Sequence, residues 1–215
     1  MMNATTNERS PAPRRHGRTQ IAVVDILVAA TTVFANEGFD AATVNRLAAV
    51  AGTTKPTLYK HFTDKQGLFN ACLDRELRHA ETFLFRAYDS ATDLSNRSEI
   101  RAHVQAFFDY ADQRPDGFRL MFDTGGPLGR HTEFIDTVVE RNAIRICQTL
   151  VAAGHHDANA RAREIAAYSV GACIYGARQS ILTEEPGNDI RGQLASEFVF
   201  SGIVGAIAHL LEPKP

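Results

Sequence analysis

The sequence predicts an all-α protein, and three observations carry that expectation. Apolar residues recur at three- and four-residue steps along most of the chain. Alternating runs of strand type are scarce, and Gly, Pro and Asn/Asp breakers fall between the helical periods. With 215 residues, 44% of them hydrophobic, the chain can bury a real core as one unit or as two small ones.

Residues 1–18 are polar and carry Pro11, Pro13 and Gly17, the composition of a mobile basic arm with Arg14, Arg15 and Arg18. A first helix is predicted over about 19–36, where Ile26, Leu27, Ala30, Val33 and Phe34 form one apolar face and Gly38 ends it. A second covers about 43–50, with Thr43 as N-cap and Val44, Leu47, Ala48 and Ala51 turned inward. Gly52 breaks it. Thr54 opens a short third helix of about 54–61, with Pro56 tolerated in its first turn. Thr63 and Gln66 read as a T-x-x-Q capping box opening a fourth helix of about 63–88. Further helices are expected near 98–113, 116–123, 130–153, 158–183 and 189–211. Between them stand Arg114-Pro115-Asp116-Gly117, Gly125-Gly126-Pro127, Gly154-His155-His156-Asp157 and Pro186-Gly187-Asn188-Asp189.

The near-neutral total charge hides an asymmetry. Residues 1–65 hold eight Lys/Arg against five acids, net +3; the whole chain is −2, which leaves −5 for residues 66–215. A polyanion-facing front and a back with another task fit that split. The three cysteines, Cys72, Cys147 and Cys173, are odd in number and far apart. They spell neither a disulfide framework nor a C-x-x-C metal pair, so reduced thiols are expected. The first residues lack the apolar core of a secretory leader, and no stretch is expected to reach the ~18–20 apolar residues of a membrane span, so a cytoplasmic location is expected.

Two short helices joined by a tight turn at Gly52 form a helix-turn-helix pattern. Leu58 and Phe62, four apart, face inward, leaving Lys55, Thr57, Tyr59 and Lys60 outward. Those types suit a helix that meets DNA. Lysines supply charge for phosphates, Thr53, Thr54 and Thr57 supply hydroxyls, and Tyr59 is a rigid arm ending in an OH. Thr43 and Lys65 stand at helix N-termini, where free amides favour an anion. The arginine arm could add minor-groove or backbone contacts.

Residues 26–69, "ILVAATTVFANEGFDAATVNRLAAVAGTTKPTLYKHFTDKQGLF", resemble the N-terminal domain of the tetracycline-repressor (TetR) family of transcriptional regulators. The resemblance rests on the "IL-x-AA-x-x-x-F" first helix, Gly38-Phe39, Thr43-Val44, "LA-x-x-AG", and above all Leu58-Tyr59-x-His61-Phe62-x-x-Lys65-x-x-Leu68. It covers about a fifth of the chain. Thr53-Thr54 departs from the commoner Val-Ser at the turn, and Pro56 gives no side-chain donor.

That resemblance implies a fold and a function. Residues 19–66 would form a three-helix DNA-binding domain, and 67–215 a larger helical domain that dimerises and binds a small effector. Thr43, Thr53, Thr54, Lys55, Thr57, Tyr59, Lys60, His61 and Lys65 fall where such proteins touch operator DNA, mostly through phosphates. The implied function is transcriptional regulation, most often repression relieved by the effector. The implied partners are double-stranded operator DNA, a small molecule and a second copy of the chain, with no cofactor, no metal and no membrane.

The back of the chain yields its own candidates. Ile165, Ser169, Ala172/Cys173 and Gly176 make a face dominated by small residues, and Phe198, Ser201/Gly202, Gly205 and Ala208 make another, suiting helices that pair with a symmetry mate. Two recognition helices about 34–36 Å apart would match successive turns of a duplex. For an effector pocket, His103, Phe107, Tyr110, Phe118, Met121, Phe122, Tyr168, Tyr175 and Gln179 offer aromatic faces and a few polar tips, with Arg145 and Arg178 as candidate partners of an anionic ligand. No G-x-S-x-G, P-loop, H-E-x-x-H or G-x-G-x-x-G occurs, and His155-His156 is a lone pair in a turn without a nearby acidic/Cys cluster, so neither a metal site nor an enzyme is expected. The alternative is a helical ligand-binding or scaffold protein without DNA binding.

Overall fold

The computed structural model describes residues 22–90, 97–123, 130–152, 154, 159–183 and 188–211. The arginine arm, Gly125-Gly126-Pro127, His155-His156-Asp157 and Pro186-Gly187 lie outside them. Among the described residues every regular element is a helix: α1 (Val23–Ala41), α2 (Val44–Val50), α3 (Lys55–His61), α4 (Lys65–Ser90), α5 (Arg97–Gln113), α6 (Pro115–Phe122), α7 (Arg130–Ala152), α8 (Asn159–Thr183) and α9 (Asn188–Leu211). The expected breakers separate them, and Gly38 interrupts α1 with a φ of 79°.

A small head forms around α1–α3 and the start of α4. Ile26, Ala30, Phe34, Leu47, Leu58, Leu68 and Phe69 are buried there, and the Phe34, Phe39 and Phe69 rings pack on one another at 5.1–6.0 Å between centroids. Leu58 is the buried anchor of α3 at 2% exposure. Leu58→Ala leaves a cavity beneath a seven-residue helix that has little else to hold it. A loss of about 2–5 kcal/mol is expected, read as a lower denaturant midpoint.

The helix starts refine the expected caps. Thr43 caps α2 through its hydroxyl, which accepts from Arg46 N at 3.2 Å. The start of α4 is set differently: Asp64 Oδ1 accepts from Gly67 N at 2.7 Å, while Gln66 donates to Asn70. The cap is therefore Asp64 and not Thr63. Both residue types cap well, and only the backbone register chooses between them.

The larger body wraps α5 in α4, α6, α8 and α9, with α7 against α8. Its core includes Ile100, Phe107, Phe108, Tyr110, Phe118, Val138, Ile146, Leu150, Ala166 and Ala177. One expectation is corrected here. By length and composition, Ile190–Leu210 within α9 is apolar enough to cross a membrane. The same helix buries Val199 and Ile203 in the body while leaving Ile190, Leu194 and Phe198 70–72% exposed. It thus packs one side on the body and leaves a second apolar face uncovered.

The thiols are reduced, as expected. Burial pushes Cys72 and Cys173 up to about 12, which keeps both protonated and unreactive at neutral pH. Cys147 is half-buried and donates to Asn159 Oδ1 at 2.9 Å. One fast-reacting thiol in the native protein and three in denaturant are expected in a thiol-reagent titration.

Candidate nucleic-acid interface and cavity

The turn between α2 and α3 is closed by backbone geometry. Gly52 has φ of 62°, its N–H donates to Ala49 O at 3.1 Å, and Thr53 N donates to Ala48 O at 2.9 Å. This is a Schellman closure, which requires a left-handed residue at Gly52, where glycine carries no Cβ penalty. It swings α3 away from α2 so that one face of α3 looks outward while Leu58 stays inside.

On that outer face Thr54, Lys55, Tyr59, Lys60 and His61 are exposed, with Tyr59 at 45%. Lys55 Nζ lies 5.8 Å from the centre of the Tyr59 ring. Among the described residues neither Lys55 nor Lys60 is held in an ion pair, so both charges are available. Thr54 and Thr57 share a hydroxyl–hydroxyl hydrogen bond of 2.9 Å across the first turn, and Thr54 makes no backbone cap. Thr53 and Thr57 are half-buried, and Thr43 is exposed beside α2. Thr54 and Thr57 are thus brought together at the start of α3, and Lys55 and Tyr59 lie side by side along it.

Lys65 sits apart from this set. Its Nζ donates to Phe39 O at 2.8 Å and Asp40 O at 3.4 Å, and lies 4.4 Å from the Phe39 ring centre. It is tied to the carbonyl end of α1, where the break at Gly38 leaves acceptors open. The sequence placed it at a helix N-terminus but gave no sign of that bond.

A second feature lies in the body. A small cavity, partly open to solvent, is lined by Ile100, His103, Val104, Phe107, Asn142, Ser169, Val170, Cys173, Val199 and Ile203. Its lining contains no Lys, Arg, Asp or Glu. Ser169 donates its hydroxyl proton to Ile165 O at 2.9 Å and Asn142 its amide to Val138 O at 3.0 Å, so their oxygens are the acceptors left for a guest.

Of the expected pocket residues, His103 and Phe107 line this cavity. Tyr110, Phe118 and Met121 are buried in the core and Phe122 packs against it, in a ring cluster outside the lining. Burial and the charge of Glu76 push the Tyr110 phenol far above its ordinary range. Tyr168 and Tyr175, at 76% and 72% exposure, and Gln179, also exposed, point away from it. Arg178 pairs with Asp123.

The α8 stripes exchange roles. Ile165 and Cys173 are buried, Ser169 and Cys173 line the cavity, and Gly176 abuts Phe108, so this small-residue face looks inward. Tyr168, Tyr175 and Leu182, seven apart, form the outer face. Periodicity groups residues on a face without saying which face meets the core. In α9, Phe198, Ser201, Gly205 and Ala208 are exposed, as a partner face would require. Asn142, Val199 and Ile203 were missed as lining residues because helices far apart in sequence bring them together.

Fold and site define an all-helical protein with a helix-turn-helix head on a larger helical body. Residues 26–72 match the model for bacterial regulatory proteins of the tetR family. Over that head segment the chain is similar to that family. The HTH-type transcriptional activator FasR of Mycolicibacterium smegmatis is 36% identical over 115 residues, which are 54% of this chain and 48% of FasR. The match thus spans about half the length of that relative. A TetR-like transcriptional regulator from Rhodococcus sp. RHA1 shares the fold with a TM-score of 0.71 at 23% identity, covering 85% of this chain and 95% of the other. The fatty acid degradation regulator FadR of Bacillus halodurans does so with a TM-score of 0.68 at 13% identity, covering 84% and 99%. The family and these relatives are regulators, not enzymes.

Proposed function

We propose that this protein regulates transcription as a homodimer that binds operator DNA through α3 and answers to a small molecule held in the body. The observation that carries the reading is the outward face of α3, where Lys55, Tyr59 and Lys60 stand exposed on a helix fixed by Leu58 and the Gly52 turn. Thr43, Thr53, Thr54, Thr57 and His61 supply hydroxyls and a ring nitrogen around that contact. Lys65 acts through the α1 corner it holds. DNA contact falls to the head, 19–66, and effector binding and pairing to 67–215.

The cavity supports an effector that is mainly apolar. A charged group in a lining without counter-ions would lose hydration with nothing to replace it. His103, Asn142 and Ser169 offer one or two hydrogen bonds to fix an uncharged polar end. Occupancy would bias the placement of the heads through a coupling of about 1–3 kcal/mol.

Repression is the simplest outcome of occupying a promoter. The relative FasR is named an activator, which favours a second reading in which the bound protein promotes transcription. A reporter driven by a selected operator, with and without the protein, separates the two signs.

Anisotropy of the full-length protein on a duplex selected from a random pool, measured across a salt series, tests the DNA reading. A steep fall of log affinity with log salt is expected. Failure to retain any duplex at low salt would return the protein to the scaffold reading.

A further inference from the structure

Glu76 is fully buried on α4, the helix that runs from the head into the body. Arg114 grips it with both arms of its fork: Nε donates to Oε2 and Nη2 to Oε1, each at 2.7 Å. Arg75 adds a third bond to Oε1 at 2.8 Å, and the Tyr110 hydroxyl donates to the Glu76 carbonyl at 3.4 Å. The fit around the carboxylate is close. A Cβ at Gly117 would lie 2.2 Å from Oε2, so only glycine admits this approach.

Arg114 is also the hinge between α5 and α6. It precedes Pro115, and its carbonyl accepts from Phe118 N at 2.9 Å. From α6 the connection continues into the head. Thr32 on α1 donates to Asp116 at 2.7 Å, and Arg119 reaches Asn36 at 3.4 Å. On the other side, α5 carries Phe107 of the cavity wall. One guanidinium thus joins the head-bearing helix, the cavity-bearing helix and the helix that braces α1.

We propose that Glu76 and Arg114 are a positioning pair for DNA binding, fixing the head on the body so that α3 is presented at the angle the duplex requires. A buried ion pair of this kind adds little stability over an apolar pair of equal volume. What it adds is geometry. A bidentate fork on a carboxylate holds in one register and one direction, whereas apolar side chains can slide. The proposal rests on the DNA-binding reading above.

The test uses the full-length protein on the duplex selected by the wild type, at matched oligomeric state by sedimentation. Arg114→Lys keeps the charge and removes the fork. Glu76→Met with Arg114→Met removes both charges together. The double variant is expected to melt near the wild-type temperature and still bind DNA about tenfold or more weaker. Arg114→Lys is expected to bind more weakly than its melting temperature would explain.

Wild-type affinity in a folded double variant would overturn the proposal, since a purely structural pair is replaceable. If that variant does not fold, Gly117→Ala takes its place. It keeps both charges and displaces the carboxylate, and a folded Gly117→Ala protein with wild-type affinity also overturns the proposal. A wild-type protein that retains no duplex overturns the DNA-binding reading itself and the positioning role with it.

Discussion

Full-length protein with Lys55, Tyr59 and Lys60 all changed to alanine is expected to lose at least about a hundredfold in affinity for the selected duplex. Its melting temperature should hardly move. All three side chains are exposed, and surface changes away from caps and core typically stay within about 0.5 kcal/mol each. Leu58, the anchor of the helix, is untouched. The salt dependence should change in a characteristic way. Each lysine that neutralises a phosphate contributes about 0.9 to the log–log slope, so four lysines in a dimer should flatten it by about 3–4. Affinity and slope both unchanged would mean that DNA is gripped elsewhere. Lys65→Ala separates two kinds of lysine in the same assay. Because Lys65 holds the Phe39 and Asp40 carbonyls, its loss should lower stability as well as affinity.

The head was legible because its signals are local. A glycine with positive φ at the turn, a threonine cap on α2, and Leu58 spaced four from Phe62 all act within one or two turns, so they read directly from neighbouring residues. The cap of α4 was off by one, Asp64 for Thr63, because two good capping residues stand side by side. The body was legible as helices but not as faces. The Ile165-Ser169-Cys173-Gly176 stripe is real, yet it is the inner one, and Tyr168-Tyr175-Leu182 the outer. Small residues permit close packing against any neighbour, and here the neighbour is α5, with Gly176 against Phe108. The cavity joins α5, α7, α8 and α9, four segments whose meeting no spacing rule encodes. Glu76 gave no signal at all. A lone glutamate in a polar helical stretch reads as solvated until Arg114, thirty-eight residues on, closes over it.

Leu194→Asp with Phe198→Asp is expected to turn the protein into a monomer that stays folded. Both side chains are at least 70% exposed, one turn apart on α9 and in line with Ile190, and α8, which packs on α9, exposes Tyr168, Tyr175 and Leu182. Rows of large exposed apolar side chains of this kind mark an interface more often than solvent-facing skin. Two long helices per protomer can supply the ~1,200–2,000 Å² that a stable pairing needs. Two-fold symmetry presents each residue twice, so four large side chains leave the contact. At about 1.5–3 kcal/mol each, the loss is about 6–12 kcal/mol. That is enough to carry a nanomolar dimer beyond the micromolar range. The aspartates add like charges across the axis. The body's core uses the opposite faces, Val199 and Ile203 on α9 and Ala166 and Cys173 on α8, so the melting transition should survive. DNA affinity should fall with the dimer, because a single seven-residue recognition helix contacts too few base pairs on its own. Sedimentation of the variant as a dimer would place the partner face elsewhere. A monomeric variant with undiminished DNA affinity would show that one head is sufficient, and the paired-head geometry would then have no role.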